Sequence, residues 1–319
     1  MGLLDRLWGG QDRPDDPELP AAIERAVDRV EPLLRQAGGF PERYRRPVAH
    51  ALDYARKLAA QVPGPVAINR EAYVGDPLVH ALFATADDVH AALCVSQAMR
   101  DFRRDHPEAD EVYALIGMRR GTKAMLGIEM EGELLRRDVP QKAVYFTDHT
   151  LADPGRTEAE ARQRIAQGFF DSLLSHVRSR VDARKREKST LEQARDELLA
   201  RLRGADRDRR DELEPQLRQT LGDLGRVAAG LDLRRYGEDF DAVLLAPERH
   251  VFLERTAMTL DGMGLLREPD SSGSTQIEFC DLIGRDRRRW TVAMMYCDRL
   301  GDEASMGERM ERAQRWLGL

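Results

Sequence analysis

Cysteine is scarce. Cys94, Cys280 and Cys297 each sit among apolar neighbours, with no CxxC pair and no even-numbered set. That pattern leaves no disulfide framework and fits reduced, packed thiols in a reducing compartment. The seven histidines include no HExxH or HxxxH and no Cys/His spacing that suits zinc. Phosphate loops are absent too: there is no GxxxxGK[ST], and no GxGxxG after a strand. No GxSxG elbow marks a serine nucleophile. Apolar runs long enough to span a membrane are missing, and the first residues lack the basic-then-apolar form of a signal peptide. The chain therefore reads as cytoplasmic, with no cofactor expected.

Charge is plentiful, at 33% of residues, beside 42% hydrophobic and 6% aromatic. This composition points to long solvated helices around a modest core. A net charge of -6 argues against the whole molecule being drawn to polyanions, so any affinity for nucleic acid would need a local patch.

Apolar residues at helical spacing, cut by "GG", "PGP" and Asp76-Pro77, predict a helical unit over 18–110 with four helices between 18 and 105. Asp76 with Pro77, and Thr85 with Asp88, are helix-start signals. From Glu111 the pattern changes to "EVYALIGMRR", "KAMLGIEMEGEL" and "KAVYFTDHTL", parted by "RGT" and "RRDVPQ". These runs read as an antiparallel meander. Thr157 and Glu160 then form a capping box, and the helix they open meets no breaker before Gly204.

Along that helix Phe170, Leu174, Val177, Val181, Arg184, Lys188, Leu191, Arg195, Leu198, Leu202 and Ala205 alternate steps of four and three. This is a heptad seam with basic residues inserted. Leu213, Leu217, Leu224, Val227 and Leu231 resume an apolar stripe after the polar turn "RGADRDRRDE". Residues 151–235 are therefore expected to form a coiled-coil-like antiparallel helical hairpin, though pairing of the long helix between chains is the rival. Pro215 implies a return arm that is kinked or that begins there.

Beyond it, "HVFLERTAMTLD", "STQIEFCDLIG" and "RRWTVAMMYC" read as strands, the last two as a hairpin apolar on both faces and hence central. An amphipathic helix with Met306, Met310, Ala313 and Leu317 closes the chain. The expected fold is α+β: a helical N-terminal unit beside an antiparallel sheet of about six strands, interrupted by a long helical hairpin. Residues 1–17 form a separate segment, and the sheet domain is drawn from 111–150 plus 236–319.

Candidate functional residues fall into five groups. Asp138, Asp148 and His149 stand at strand ends, where an acid could orient an imidazole or bind a cation, or simply lead into a turn. Glu129, Glu131 and Glu133 share one strand face, which would suit Mg²⁺ or be a solvated face. Arg285, Arg287, Arg288 and Arg289, with the basic helix over 178–188, could contact an anion or nucleic acid. Arg184 and Lys188 in the seam must face water or meet an acidic partner. Leu3, Leu4, Leu7 and Trp8 line one face of a short N-terminal helix that could touch a membrane surface or a partner groove.

Three functions follow. The first is a non-catalytic interaction or regulatory protein that presents the helical hairpin to a protein partner, or to a second copy of itself. The second is an enzyme, metal-assisted or otherwise, built on the carboxylates and His149. The third is an anion- or nucleic-acid-binding protein built on the arginines.

Overall fold

The computed structural model describes residues 16–131, 134–229, 233–284 and 288–298. The fold is α+β, and the described residues divide into two compact units, one drawn from 16–53 with 173–247 and the other from 54–172 with 248–298. Two helices, α2 (Glu42–Gln61) and α7 (Glu158–Arg203), contain the points of division.

The first unit is helical. In α1 (Leu19–Val30) the buried residues Leu19, Ile23, Ala26, Val27 and Val30 recur at steps of three and four, giving one apolar face. A 3-10 turn at Pro32–Gln36 follows, with the Leu33 N–H donating to the Glu31 carboxylate at 3.2 Å. The start of α2 supplies Tyr44, whose hydroxyl donates to the Leu34 carbonyl at 3.2 Å. Its ring meets Phe240 of α9 (Leu233–Leu244) edge-on, 5.0 Å between centroids. The unit is completed by α7 from Leu173 onward and by α8 (Arg207–Ala229).

Along α7 the buried residues Phe169, Phe170, Leu173, Leu174, Val177 and Val181 form a broad apolar face. The helix ends at Arg203, just before Gly204. The return arm α8 contains Pro215 in its interior and begins at Arg207, so it does not wait for the proline to start. Leu198 and Leu213 are buried on either side of the turn. Nearer the base, Arg184 and Leu191 of α7 border the same cavity as Asp223 and Val227 of α8. The two arms therefore run antiparallel.

The second unit holds a six-stranded sheet flanked by short helices. Where periodicity suggests four helices before the sheet, there are six among the described residues. Asp76 closes α3 (Arg70–Gly75) and caps α4 (Pro77–Leu82), with its side chain accepting from Leu78 N–H at 2.8 Å. Ser96 likewise separates α5 (Ala86–Val95) from α6 (Gln97–Asp105), and Thr85 with Asp88 forms the expected capping box on α5. The sheet comprises β1 (Val66–Ala67), β2 (Val112–Glu131), β3 (Leu134–Gly155), β4 (Phe252–Asp261), β5 (Ser274–Ile283) and β6 (Arg289–Cys297). Its order is β3-β2-β6-β5-β4 with antiparallel pairing, and β1 joins β6 in parallel.

The expected three-strand meander is instead two long strands. "RGT" lies inside β2 and "RRDVPQ" inside β3. Gly121 does not turn the chain: the Tyr145 ring from the neighbouring strand lies where a Cβ would go. β2 pairs with β6 only from Val112 to Met118. Past that point β2 and β3 continue as a two-stranded ribbon.

Three β-bulges, all on β3, interrupt this pairing. Met118 faces both Asp148 and His149, Ala114 faces Asp153 and Pro154, and Ile128 faces Arg137 and Asp138. Each bulge holds one aspartate at positive φ: Asp138 at 60°, Asp148 at 55° and Asp153 at 54°. Asp is among the few side chains that accept this left-handed backbone, which these bulges use.

The segment after β4 ties the two sheet edges together. Val144 N–H donates to the Gly264 carbonyl at 2.9 Å and Leu266 N–H to the Lys142 carbonyl at 2.8 Å, while Arg267 N–H donates to Thr259 on β4. Ile116, Met118, Val144, Ile277, Phe279 and Met295 fill the resulting core together with Leu82, Leu93 and Phe102 from the helices. Residues 291–295 of β6 are buried at every position, as a central strand covered on both faces should be. At the start of α7 Glu160 N–H donates to Thr157 Oγ1 at 3.2 Å, as expected, but the Glu160 carboxylate takes the Arg156 N–H at 2.9 Å and not that of Thr157, so only half of the expected capping box forms. The C-terminal helix expected through Met306, Met310, Ala313 and Leu317 lies outside the described residues.

Candidate functional site

The bulge at Asp148 and His149 decides what the most reactive-looking motif can do. Asp148 stays more than half exposed, 3.8 Å from the Arg119 guanidinium. His149 turns the other way. Its Nε2 lies 2.8 Å from the Leu82 carbonyl and its ring stacks on Phe83 at 4.8 Å and 15°. A carbonyl only accepts, so Nε2 carries the proton and Nδ1 is the open acceptor.

His149 lines a cavity of about 690 Å3 together with Asp88, Ala92, Gln97, Phe146 and Leu151, within the size range of small-molecule sites. The polar groups around it already have partners. Asp88 is held by the Thr85 backbone and hydroxyl at 2.9 and 2.8 Å, and Gln97 bonds Asp101 and Arg100. The cavity thus offers apolar walls and one imidazole, without a carboxylate to orient it.

Asp138 is exposed in its own bulge, ten residues along β3 from Asp148, which at about 3.3 Å per strand residue is roughly 30 Å. The structure does not bring Asp138, Asp148 and His149 together. Glu129 and Glu131 lie on β2 opposite Arg136 and Leu134. Glu133 lies outside the described residues, as do Leu3, Leu4, Leu7 and Trp8. Among the described residues no group of three or more His, Cys, Asp or Glu side chains could hold a metal ion.

The basic residues are drawn to buried acids. Asp239, only 3% exposed, receives Arg184 Nε at 2.9 Å and Arg180 at 2.9 Å. Lys185 pairs with the buried Glu31, and that hydrogen bond raises the Lys185 pKa above its ordinary value. The interruption of the heptad seam is therefore matched by acids of the same unit, which is the acidic partner a basic seam residue needs. Lys188 sits 3.4 Å from Glu192 on its own helix.

A second cluster anchors the arginine-rich turn. Asp281 on β5, 1% exposed, takes Arg120 Nη2 at 2.5 Å and the Thr291 hydroxyl at 2.8 Å. Arg289 reaches Glu254 at 2.6 Å and stands 3.6 Å from Asp281. Arg120 also lies over the Phe279 ring, 5.3 Å from its centroid. These contacts join β2, β4, β5 and β6 at one end of the sheet. Arg288 is exposed, and Arg285 and Arg287 lie outside the described residues.

Sequence reasoning missed Asp281, Asp239 and Glu31. The signal for Asp281 was present: in "IEFCDLI" it alternates with Ile277, Phe279 and Ile283 on the apolar face, and a buried carboxylate requires a cation. Cys280 and Cys297 are buried thiols outside any disulfide, and burial pushes the Cys280 thiol up, away from nucleophilic character. No described helix is long and apolar enough to cross a membrane. No protein-family profile, curated protein or solved structure matches the chain.

Proposed function

We propose that the chain is a non-catalytic interaction protein whose α7–α8 hairpin docks a protein partner. The observation that carries this reading is the thinness of the hairpin's own seam. Between Arg186 and Leu221 only Leu198 and Leu213 are buried, while Leu199 and Leu221 remain 38% and 46% exposed among charged side chains. Such a pair of arms adds little core to the unit that carries it. Its length is explained by a surface that another protein covers, as amphipathic helices in grooves are covered. The placement of Asp138 and Asp148 away from His149 supports the same reading over a carboxylate-imidazole enzyme, and the pairing of Arg184 and Arg289 with acids favours it over anion binding.

The test removes one heptad from each arm, residues 192–198 and 213–219, so that the remaining seam stays in register. Far-UV circular dichroism and thermal melting check that the rest is folded. The expected outcome is loss of the proteins that the full chain retains from a host-cell lysate, identified by mass spectrometry. Retention of the same proteins by the shortened chain overturns the proposal.

A further inference from the structure

Beyond Met118, β2 loses its β6 neighbour, and among the described residues no backbone group takes that side of the strand over 119–131. The strand face that gives Val112, Ala114, Ile116 and Met118 to the core continues outward as Thr122, Ala124, Leu126 and Ile128. Leu126 is 66% exposed and Ile128 59%, with Met125 exposed on the opposite face. Exposed apolar side chains beside an unpaired edge are the usual template for strand addition.

The two edges of the ribbon differ in a way that narrows the occupant. On β3 the free edge carries Pro140, the charged pair Arg136 and Arg137, and bulges at Asp138 and Asp148, and at Ala143 it is bridged to Leu265. These are the devices by which edges are closed to pairing. On β2 there is no proline and no bulge from Arg119 to Glu131. One edge is guarded and the other is open.

We infer that the open edge of β2 pairs antiparallel with β2 of a second copy of this chain, about a two-fold axis at Leu126. That register is self-complementary. Leu126 meets Leu126 of the other copy, Met125 meets Gly127, and Ala124 meets Ile128. Lys123 comes opposite Glu129, and by symmetry this opposite-charge pair occurs twice. Shifting the register one way places Lys123 opposite Gly127 and loses the charge pair; shifting it the other way keeps a Lys123–Glu131 pair but replaces the central leucine pair with Gly127 against Gly127, so the apolar contact at Leu126 separates these two charge-compatible alignments. The result is a continuous four-stranded sheet, β3-β2-β2-β3, across the two chains.

Sedimentation equilibrium of the full chain between ~1 and ~100 μM tests this, a range set by the weak association expected of a small interface. The expected mass rises from 36.2 kDa toward twice that value with concentration. Leu126→Lys, at a position already exposed, should leave a monomer with an unchanged circular dichroism spectrum. Lys123→Glu alone and Glu129→Lys alone should each weaken association about tenfold or more, because each creates two like-charge pairs. An equimolar mixture of those two variants should recover it, since each then supplies the charge the other lacks. A wild-type mass of one chain at every concentration overturns the proposal, and so does association that ignores Leu126→Lys or is not recovered by mixing. Slow hydrogen exchange in the monomer of those amides over 121–131 that point away from β3 also overturns it, because another segment would then cover this edge.

Discussion

Asp281 offers the sharpest test of how the sheet is held. Its carboxylate is 1% exposed and Arg120 is 12% exposed, 2.5 Å apart, with Thr291 donating to the other oxygen. Removing one partner leaves the other charge buried without its counterpart, which costs about 3–5 kcal/mol. Asp281→Asn keeps the shape and an acceptor for Thr291, yet strands the guanidinium that lies against Phe279. Arg120→Met keeps the aliphatic volume and strands the carboxylate, which then has only the half-exposed Arg289 at 3.6 Å. Each single variant should therefore lower the melting temperature by roughly 10 °C, taking about 2–4 °C per kcal/mol for a unit of this size. The double variant should recover much of the loss, because hydrophobic or neutral replacements of a buried pair are often nearly neutral. Urea unfolding followed by circular dichroism on all four proteins gives the coupling energy. Single variants that each cost under about 1 kcal/mol, or a double variant equal to the sum of the singles, would refute the argument that this buried pair locks β2 to β5.

Two other outcomes follow from particular contacts. Burial raises the Asp153 pKa, the nearby Asp171 adds to the rise and Arg164 opposes it. The sign is that of a group disfavouring its own ionisation: the folded protein loses stability as pH rises from the unfolded carboxylate pKa through the raised folded one. Asp153→Asn, which also tolerates the left-handed backbone, should raise the melting temperature at pH 7 and change it little at pH 3, and an equal shift at both would contradict this. Gly155 sits under the first turn of α7, where an added Cβ would lie 2.7 Å from the Ala161 backbone nitrogen. Backbone cannot swing aside, so Gly155→Ala should cost about 2 kcal/mol in urea unfolding. A variant as stable as the parent would show that the strand end and helix separate freely.

Much of the fold was legible because its signals are local. The Thr157 cap of α7, the apolar residues at steps of three and four from Phe170 to Val181, and the doubly apolar β6 each state their structure within a few residues. The meander was misread for an equally physical reason. "RGT" and "RRDVPQ" contain the residues of turns, but Gly121 is covered by Tyr145 across the ladder, and Asp138 supplies a bulge beside the edge proline. Turn chemistry and bulge chemistry use the same amino acids. The same ambiguity made Asp138 and Asp148 look catalytic, when their backbone conformation already explains them. Asp281 was harder, since its cation lies 161 residues away in the chain. Only the β2–β6–β5 adjacency brings Arg120 to it, and no local pattern encodes that adjacency. The seam arginine was closer to legible. The need of Arg184 for an acid could be stated from sequence, but its identity as Asp239 could not.

The three left-handed aspartates also decide where β3 can change length. Within an ordinary stretch of strand, losing one residue exchanges the inner and outer faces of everything beyond it. Losing Asp138, Asp148 or Asp153 does the opposite: it removes the surplus residue of a bulge and leaves a plain ladder, with Met118 then facing His149 alone in the second case. Single-residue deletions, otherwise ruinous in a half-buried strand, therefore have three positions in β3 at which the register on both sides survives. The twist and bend that the surplus residue adds would be lost there, while the order of side chains facing the core would be kept.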